Sequence, residues 1–365
     1  MLHGKTVAVV VPCYNEETQI GIVIETMPDF VDRIIIVNDC SKDRTAEVVQ
    51  EYIRNDKTPV KELRMFPSHV ARNRFNEAVM VLQENAVTEL EKYTPSEVWN
   101  AHPERDRIIL INNLQNGGVG AGIARGYKWC KDYDIDCTAV MAGDAQMDPD
   151  ELESICTPVI LDGVDYVKGN RLIHRSAWLV IPRIRFFGNS ILSILTKIAS
   201  GYWRISDTQT GYTAISLPAL KGIHIYDIYR SYGMPNDLLV KLNISSCTLR
   251  EVEIKPVYRV GEQSKMKIFK VIPRVSWLLI KLFFKRLYIK YLFRDFHPLF
   301  LIYHAAFLLL LLDIPYLLKV ISAFINGQTL SYEPLLAFMF LSFGGFLSLF
   351  FAMWMDMQDN ERLYK

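Results

Sequence analysis

The sequence contains no Cys-x-x-Cys pair and no grouping of Cys with His, which removes the common zinc sites from consideration. Its cysteines (Cys13, Cys40, Cys130, Cys137, Cys156 and Cys247) are scattered and read as reduced, mostly core thiols, as expected on a cytosolic face. Excess charge of either sign is almost absent. The 41 Lys and Arg against 40 Asp and Glu leave a net +1, so no global field argues for a nucleic-acid partner. Internal repeats and low-complexity tracts are lacking. The opening Met1-Leu-His-Gly-Lys5 runs straight into an apolar segment with no signal-peptide pattern.

What the chain does have, at 365 residues, is length for a large core and a strongly uneven second half. Residues 298–321 and 332–355 are apolar stretches, each long enough for a membrane span of roughly 20 residues. Their apolar residues fall around the whole circumference, whereas a soluble helix should show a polar face. Residues 323–331 between them carry no Lys or Arg, while Lys285, Arg286, Lys290 and Arg294 precede the pair and Arg362 and Lys365 follow it. The positive-inside rule puts both flanks in the cytoplasm, giving two spans with both termini cytoplasmic. Residues 267–294 hold eight Lys or Arg and no acid, interleaved with Ile, Phe, Val, Trp and Leu. That is the composition of an interfacial amphipathic helix, although packing on the preceding domain is compatible with it. Asp313 inside the first span is either a functional acid, with Lys319 as a neighbour at wider spacing, or a residue at a bend facing a partner where Pro315 breaks the helix.

The first half alternates strand and helix. Residues 6–11, 33–37, 108–111 and 138–141 are apolar, β-branched runs typical of parallel strands buried on both faces. Helical patterns follow to about Met27, over 45–53 and over 122–133. Four such alternations predict a doubly wound α/β domain with a mainly parallel sheet. Residues 55–106 interrupt the rhythm and are too long for an ordinary connection, so we expect a helical insert with a helix near 75–90. The expected division is 1–265 catalytic, 266–296 juxtamembrane, 297–356 membrane hairpin and 357–365 cytoplasmic tail.

The segment Val140-Met-Ala-Gly-Asp-Ala-Gln146, followed by Met147-Asp-Pro149, is the most informative. An apolar run ends in Gly beside a lone carboxylate, which places Asp144 at the carboxyl edge of the sheet, where open α/β folds bind ligands. A carboxylate there suits Mg²⁺ or Mn²⁺ bridging to a diphosphate. The alternative, a helix cap, is already filled by Asp148 with Pro149 at the first helical position.

Four strand-end segments (Pro12-Cys-Tyr-Asn-Glu-Glu17, Asn38-Asp-Cys-Ser41, Asn116-Gly-Gly-Val-Gly120 and Asp144-Ala-Gln146) are followed by four more: Lys168-Gly-Asn-Arg171, Asp207-Thr-Gln-Thr-Gly-Tyr212, Asn236-Asp237 and Gly261-Glu-Gln-Ser-Lys265. In this order they resemble the family 2 glycosyltransferases of the GT-A (Rossmann-like) fold, and within them the polyprenyl-phosphate (dolichyl-phosphate) mannosyl and glucosyl transferases. The resemblance implies that Pro12, Tyr14, Glu16 and Asp39, with the Gly118 loop, hold the nucleoside of a nucleotide-sugar. It implies that Asp144 and Gln146 hold the metal and diphosphate. Arg171 and Lys265 would contact phosphates, and Asp207 and Gln209 would sit near the reacting centre. Two departures stand out. Ala142 replaces the first acid of the usual Asp-x-Asp, and Asn38 replaces the first acid of Asp-Asp-Gly-Ser, where Cys40 also replaces Gly. The Gln-x-x-Arg-Trp motif of processive synthases is missing, so a single transfer is expected.

The expected reaction is inverting, metal-dependent transfer of one sugar from a GDP-mannose- or UDP-glucose-type donor to a polyprenyl phosphate at the bilayer. The departing diphosphate needs a cation and Arg or Lys donors. A lipid phosphate is already largely ionised, with a second pKa of about 6, so no strong base is required. Arg171, Arg183, Arg185 and Lys265 are the candidate cations, with Arg183 and Arg185 equally compatible with a solvated basic face. Transfer to a hydroxyl of another lipid would instead need Asp237 as base, whereas at a helix N-terminus Asp237 would only complement the dipole. A non-catalytic membrane partner retaining the fold is the third possibility, motivated by Ala142. The hairpin is the expected surface for any homo-oligomer.

Overall fold

The computed structural model describes residues 1–65, 73–180, 183–257, 268–327, 329 and 331–365. Among the described residues eight strands form one sheet in the order β3-β4-β2-β1-β5-β7-β6-β8. They are β1 Val7–Cys13, β2 Arg33–Asn38, β3 Ser96–Val98, β4 Ile108–Asn113, β5 Cys137–Val140, β6 Tyr166–Asn170, β7 Thr213–Ser216 and β8 Leu249–Glu253. Strands β4, β2, β1 and β5 run parallel, and β6 runs parallel to β8. Strand β7 lies antiparallel between β5 and β6, and β3 antiparallel on β4. The central strands are apolar runs because both faces are covered: every residue of β2 is buried.

The covering helices are α1 Ile20–Glu25, α2 Thr45–Asn55, α3 Glu77–Glu89, α4 Val119–Asp132, α5 Leu152–Leu161, α6 Ala177–Val180, α7 Arg183–Ser200, α8 Leu217–Gly222 and α9 Met234–Ile244. One core lies on the α4 and α9 side of the sheet and a second on the α1, α2 and α5 side. The sheet is thus the expected mainly parallel doubly wound one, with β6, β7 and β8 extending it beyond the four strands read from sequence. The 55–106 segment is not purely helical. It carries α3 but also supplies β3, the edge strand, and Leu63 N–H donates to the Glu104 carbonyl at 3.0 Å.

Beyond the sheet come α10 Ile268–Tyr288, a π-helical turn Ile289–Arg294, α11 Pro298–Ile325 and α12 Tyr332–Glu361. At 1.5 Å per residue, α11 and α12 are each about 40–45 Å long. Only 6% and 11% of their most apolar windows are buried within this chain, so both helices present apolar surface outward and are long and apolar enough to cross a membrane. They pack on one another where Gly345 admits Leu310. Asp313 accepts a hydrogen bond from Ser342 at 2.5 Å, while Lys319 lies over the Tyr316 ring. Helix α11 continues through Pro315. On α10, Val275, Leu279, Phe283 and Leu287 pack inward, whereas Trp277, Ile280 and Phe284 stay exposed beside Lys281. Residues 363–365 are not a loose tail: Leu249 N–H donates to Leu363 O at 2.7 Å, and Lys365 N–H to Leu249 O at 3.0 Å.

Candidate active site

The loops at the carboxyl ends of β1, β2 and β4 are stitched together by side chains. Asn15 N–H donates to Ser41 Oγ, Glu16 N–H to Thr45 Oγ1, and Lys42 N–H to Asn15 Oδ1. Asp39 is the hub. It accepts from Asn113 Nδ2 and from the N–H groups of Gly117 and Gly118, all at 2.8 Å. Asn15, Cys40 and Ala145 adopt left-handed backbone (φ 57°, 60° and 57°), so three non-glycine residues in that region sit at this one sheet edge. Such conformations are held only where surroundings over-determine them, and they gather at ligand clamps. Cys40 takes this conformation where the resembling family has Gly. Pro12, Tyr14 and Glu16 line the same edge, half-buried.

Helix α4 begins against the 229–230 segment. Gly118 has φ +83°, and a Cβ there would lie 2.4 Å from Arg230 O; one at Gly120 would lie 2.1 Å from Tyr229 O. Gly120 N–H donates to Arg230 O at 3.1 Å. Asp237 anchors the other side of this segment. It is buried, accepts the Tyr229 N–H at 2.9 Å and pairs with Lys241 one helical turn on.

Strand β5 hands the chain to Asp144. Met141 and Gly143 N–H groups still bond to β1 carbonyls, and the turn then lifts Asp144 and Gln146 to one wall of a cavity. Met147, Glu151, Arg171, Thr210, Tyr212 and Lys255 line the remainder. Burial raises the Asp144 pKa, opposed only by the N–H groups of Gln146 and of Asp144 itself. The Gln146 Nε2 is buried with no hydrogen-bond partner. An uncompensated carboxylate and an orphaned amide donor in one cavity together fit a ligand that brings both positive charge and acceptor oxygens. Among the described residues no three of His, Cys, Asp and Glu gather to hold a metal.

Arg171 reaches across from β6 and forms a two-pronged pair with Asp207, Nε to Oδ2 at 2.8 Å and Nη2 to Oδ1 at 3.1 Å. Burial would push the Asp207 carboxyl up, but Arg171 and Lys168 outweigh it and hold it below the ordinary range. Lys168, wholly buried, donates to Thr210 O, and burial brings its ammonium down to about 8. Gln209 does not line the cavity; its amide donates to Thr208 and to Asn236 at 3.0 Å.

The structure thus brings Asp144, Gln146 and Arg171 together, with Asp207 immediately behind. It sets Pro12, Tyr14, Glu16, Asp39 and Gly118 along the adjoining edge, and puts Asp237 under the α4 loop. Lys265 and its motif lie outside the described residues; Arg183 and Arg185 stand at the start of α7. Lys255, Glu151, Lys168 and Glu251 were not assigned roles from sequence. Lys255, paired with Asp148 at 3.0 Å, carried no motif signal, and Lys168 could have been noticed as a Lys inside a strand.

A mainly parallel sheet with its loops gathered at the carboxyl edge and this order of motifs are those of a glycosyltransferase domain. The chain belongs to the glycosyl transferase family 2, whose model matches residues 8–74 and 84–223, and it is a glycosyltransferase of GT-A fold. Among its relatives is the UDP-N-acetylglucosamine–dolichyl-phosphate N-acetylglucosaminyltransferase of Methanococcus voltae, 26% identical over 259 residues, covering 70% of this chain and 88% of the relative. An uncharacterized protein of Methanocaldococcus jannaschii is 22% identical over 266 residues, covering 72% and 86%. A solved structure, glucosyl-3-phosphoglycerate synthase of Mycobacterium tuberculosis in complex with Mn²⁺, UDP and glucosyl-3-phosphoglycerate, aligns at TM-score 0.48 and 16% identity over 78% of this chain and 80% of that one.

Proposed function

We propose that the chain transfers one sugar from a nucleoside diphosphate donor to a polyprenyl phosphate at the cytoplasmic face of a membrane, inverting the anomeric centre, with Mg²⁺ or Mn²⁺. The observation that carries this is the cavity in which uncompensated Asp144 and the unpartnered Gln146 amide face the Arg171–Asp207 pair. Asp144 and the Gln146 carbonyl oxygen would hold the metal, with diphosphate oxygens and water completing a shell that Ala142 leaves short of a second acid; Mg²⁺ accepts such a shell. The bound cation would neutralise charge on the departing diphosphate. The unpartnered Gln146 Nε2 would donate to a phosphate oxygen. Arg171, oriented by Asp207, adds a fixed fork suited to phosphate, and the loops around Asp39 hold the nucleoside.

For the acceptor, the Methanococcus relative is named for transfer to dolichyl phosphate. Helix α10, apolar and basic on its outer face, leads directly into the two long apolar helices. That arrangement holds the sheet edge near lipid headgroups. An anionic acceptor needs no base, and the ion pair of Asp237 with Lys241 speaks against Asp237 as one. Membranes carrying the full chain, incubated with labelled UDP-N-acetylglucosamine, UDP-glucose and GDP-mannose, should put label into the lipid phase with polyprenyl phosphate and not with free polyprenol, and EDTA should abolish it. Equal labelling of the alcohol would overturn the acceptor assignment.

A further inference from the structure

We propose that Glu251, on β8, is a positioning residue for the Arg171–Asp207 pair and is itself held by residues 363–365. This rests on the function given above, in which that pair serves the sugar and its phosphates. Glu251 stands between the two loops that carry the pair. Its Oε1 accepts the Ser206 and Asp207 N–H groups at 2.9 and 3.0 Å, and its Oε2 accepts Ser206 N–H at 3.0 Å and Asn170 Nδ2 at 2.9 Å. Asn170 Oδ1 in turn accepts Leu172 N–H at 2.9 Å and Ile173 N–H at 3.3 Å, closing the turn that presents Arg171. Buried N–H groups on irregular loops must find acceptors. One carboxylate supplies them to both loops, so it fixes the distance between the backbone of Asp207 and that of Arg171. The charged groups around it are Lys168, Arg171 and Asp207, and the Tyr364 phenol faces its strand.

The far edge of β8 is covered as well. Leu249 exchanges hydrogen bonds with Leu363 and Lys365, Arg250 Nε donates to Lys365 O at 3.1 Å, and Leu363 is buried in the core. Arg204, just before the Asp207 loop, pairs with Glu361 at the end of α12 and lies over the Tyr364 ring. The end of the second apolar helix therefore meets β8 and the Asp207 loop together.

The test measures kcat and donor KM for the full-length protein in liposomes, for Glu251→Ala, Asp207→Asn and the double variant. Glu251→Ala should lower kcat about tenfold or more with donor KM little changed, because hydrogen bonds to a charged group are lost behind the reacting centre and not at the nucleoside. In the Asp207→Asn background the same change should cost little further, since both act through one pair. Exchanging the partners, Glu251→Gln with Asn170→Asp, should recover activity that each single change loses; this pair carries the test if Glu251→Ala does not fold. Leu363→Asp should reproduce the kcat loss. Rates are read with the acceptor the wild type uses. A wild type that ignores polyprenyl phosphate but glycosylates another acceptor overturns the reading above and leaves this coupling measurable. Additive losses, a rise in donor KM in place of a fall in kcat, or no recovery in the exchanged pair would overturn the proposal.

Discussion

Arg286 and Asp356 form a fully buried two-pronged ion pair, Nη1 to Oδ1 at 2.7 Å and Nη2 to Oδ2 at 2.8 Å, between α10 and the end of α12. Arg286 also donates to the carbonyls of Ala199 and Ile198 at the end of α7. Tyr291, Lys290, Asn243 and Asn360 complete the network, so one polar knot ties the sheet domain to the apolar hairpin. Breaking a buried pair from one side strands the other charge and costs about 3–5 kcal/mol. Arg286→Met should therefore lower the thermal midpoint in detergent sharply, and Arg286→Met with Asp356→Leu should restore much of it. A single variant as stable as the wild type would show the knot to be dispensable.

The raised Asp144 pKa gives a pH dependence with a definite sign. The folded state binds this proton more tightly than the unfolded chain, whose carboxyl titrates near 3.8. Without metal, that contribution to stability is complete at low pH and is lost as pH rises through the folded pKa. In EDTA, wild-type stability should thus fall relative to Asp144→Asn as pH climbs from the acid range, and Mn²⁺ should restore it only to the wild type. Metal competes with the proton, so apparent affinity should weaken by about tenfold per pH unit below that pKa. Parallel stability curves in EDTA would refute the raised pKa, and equal stabilisation of both proteins by Mn²⁺ would remove Asp144 from the metal site.

Arg171 and Asp237 should separate cleanly in kinetics. Arg171→Ala loses a charge-assisted fork and should cut turnover about ten- to a hundredfold, and Arg171→Lys should restore only part because the bidentate geometry is gone. Asp237→Asn loosens Tyr229 and, through Arg230, the Gly118–Gly120 loop. It should therefore raise donor KM and lower the thermal midpoint more than it lowers kcat. A kcat loss from Asp237→Asn exceeding that of Arg171→Ala would favour a hydroxyl acceptor.

Topology can be read by thiol labelling. Cys40 is exposed and the other five cysteines are buried, so a Cys40→Ser background is quiet. A cysteine at Thr329 should react with an impermeant reagent from outside, and one at exposed Arg362 should not. Asn360 is unsuitable for this purpose because it is buried in the knot. The reverse pattern would place the sheet domain away from cytosolic nucleotide-sugars.

Local pattern was enough for the four central parallel strands, the Asp148 cap and the two apolar helices. Unbroken β-branched runs signal strands covered on both faces, and a cap acts on its own neighbours. The motif order placed the ligand loops at one edge for the same reason: each follows its strand directly. Strands β6 and β8 carry polar and charged residues (Lys168 and Asn170 in one, Arg250, Glu251 and Glu253 in the other), and β7 enters antiparallel between β5 and β6, so only pairing with distant segments makes them strands. Strand β3 is a three-residue edge that exists because β4 offers it a partner. The partners of charged side chains were likewise decided in three dimensions. Asp237 met the Tyr229 N–H, Asp313 met Ser342, and Arg286 of a basic stripe turned inward to Asp356. A lone carboxylate in sequence says that it must be solvated or paired; which donor satisfies it depends on distant chain segments, 70 residues away for Asp356 and 157 for Glu361.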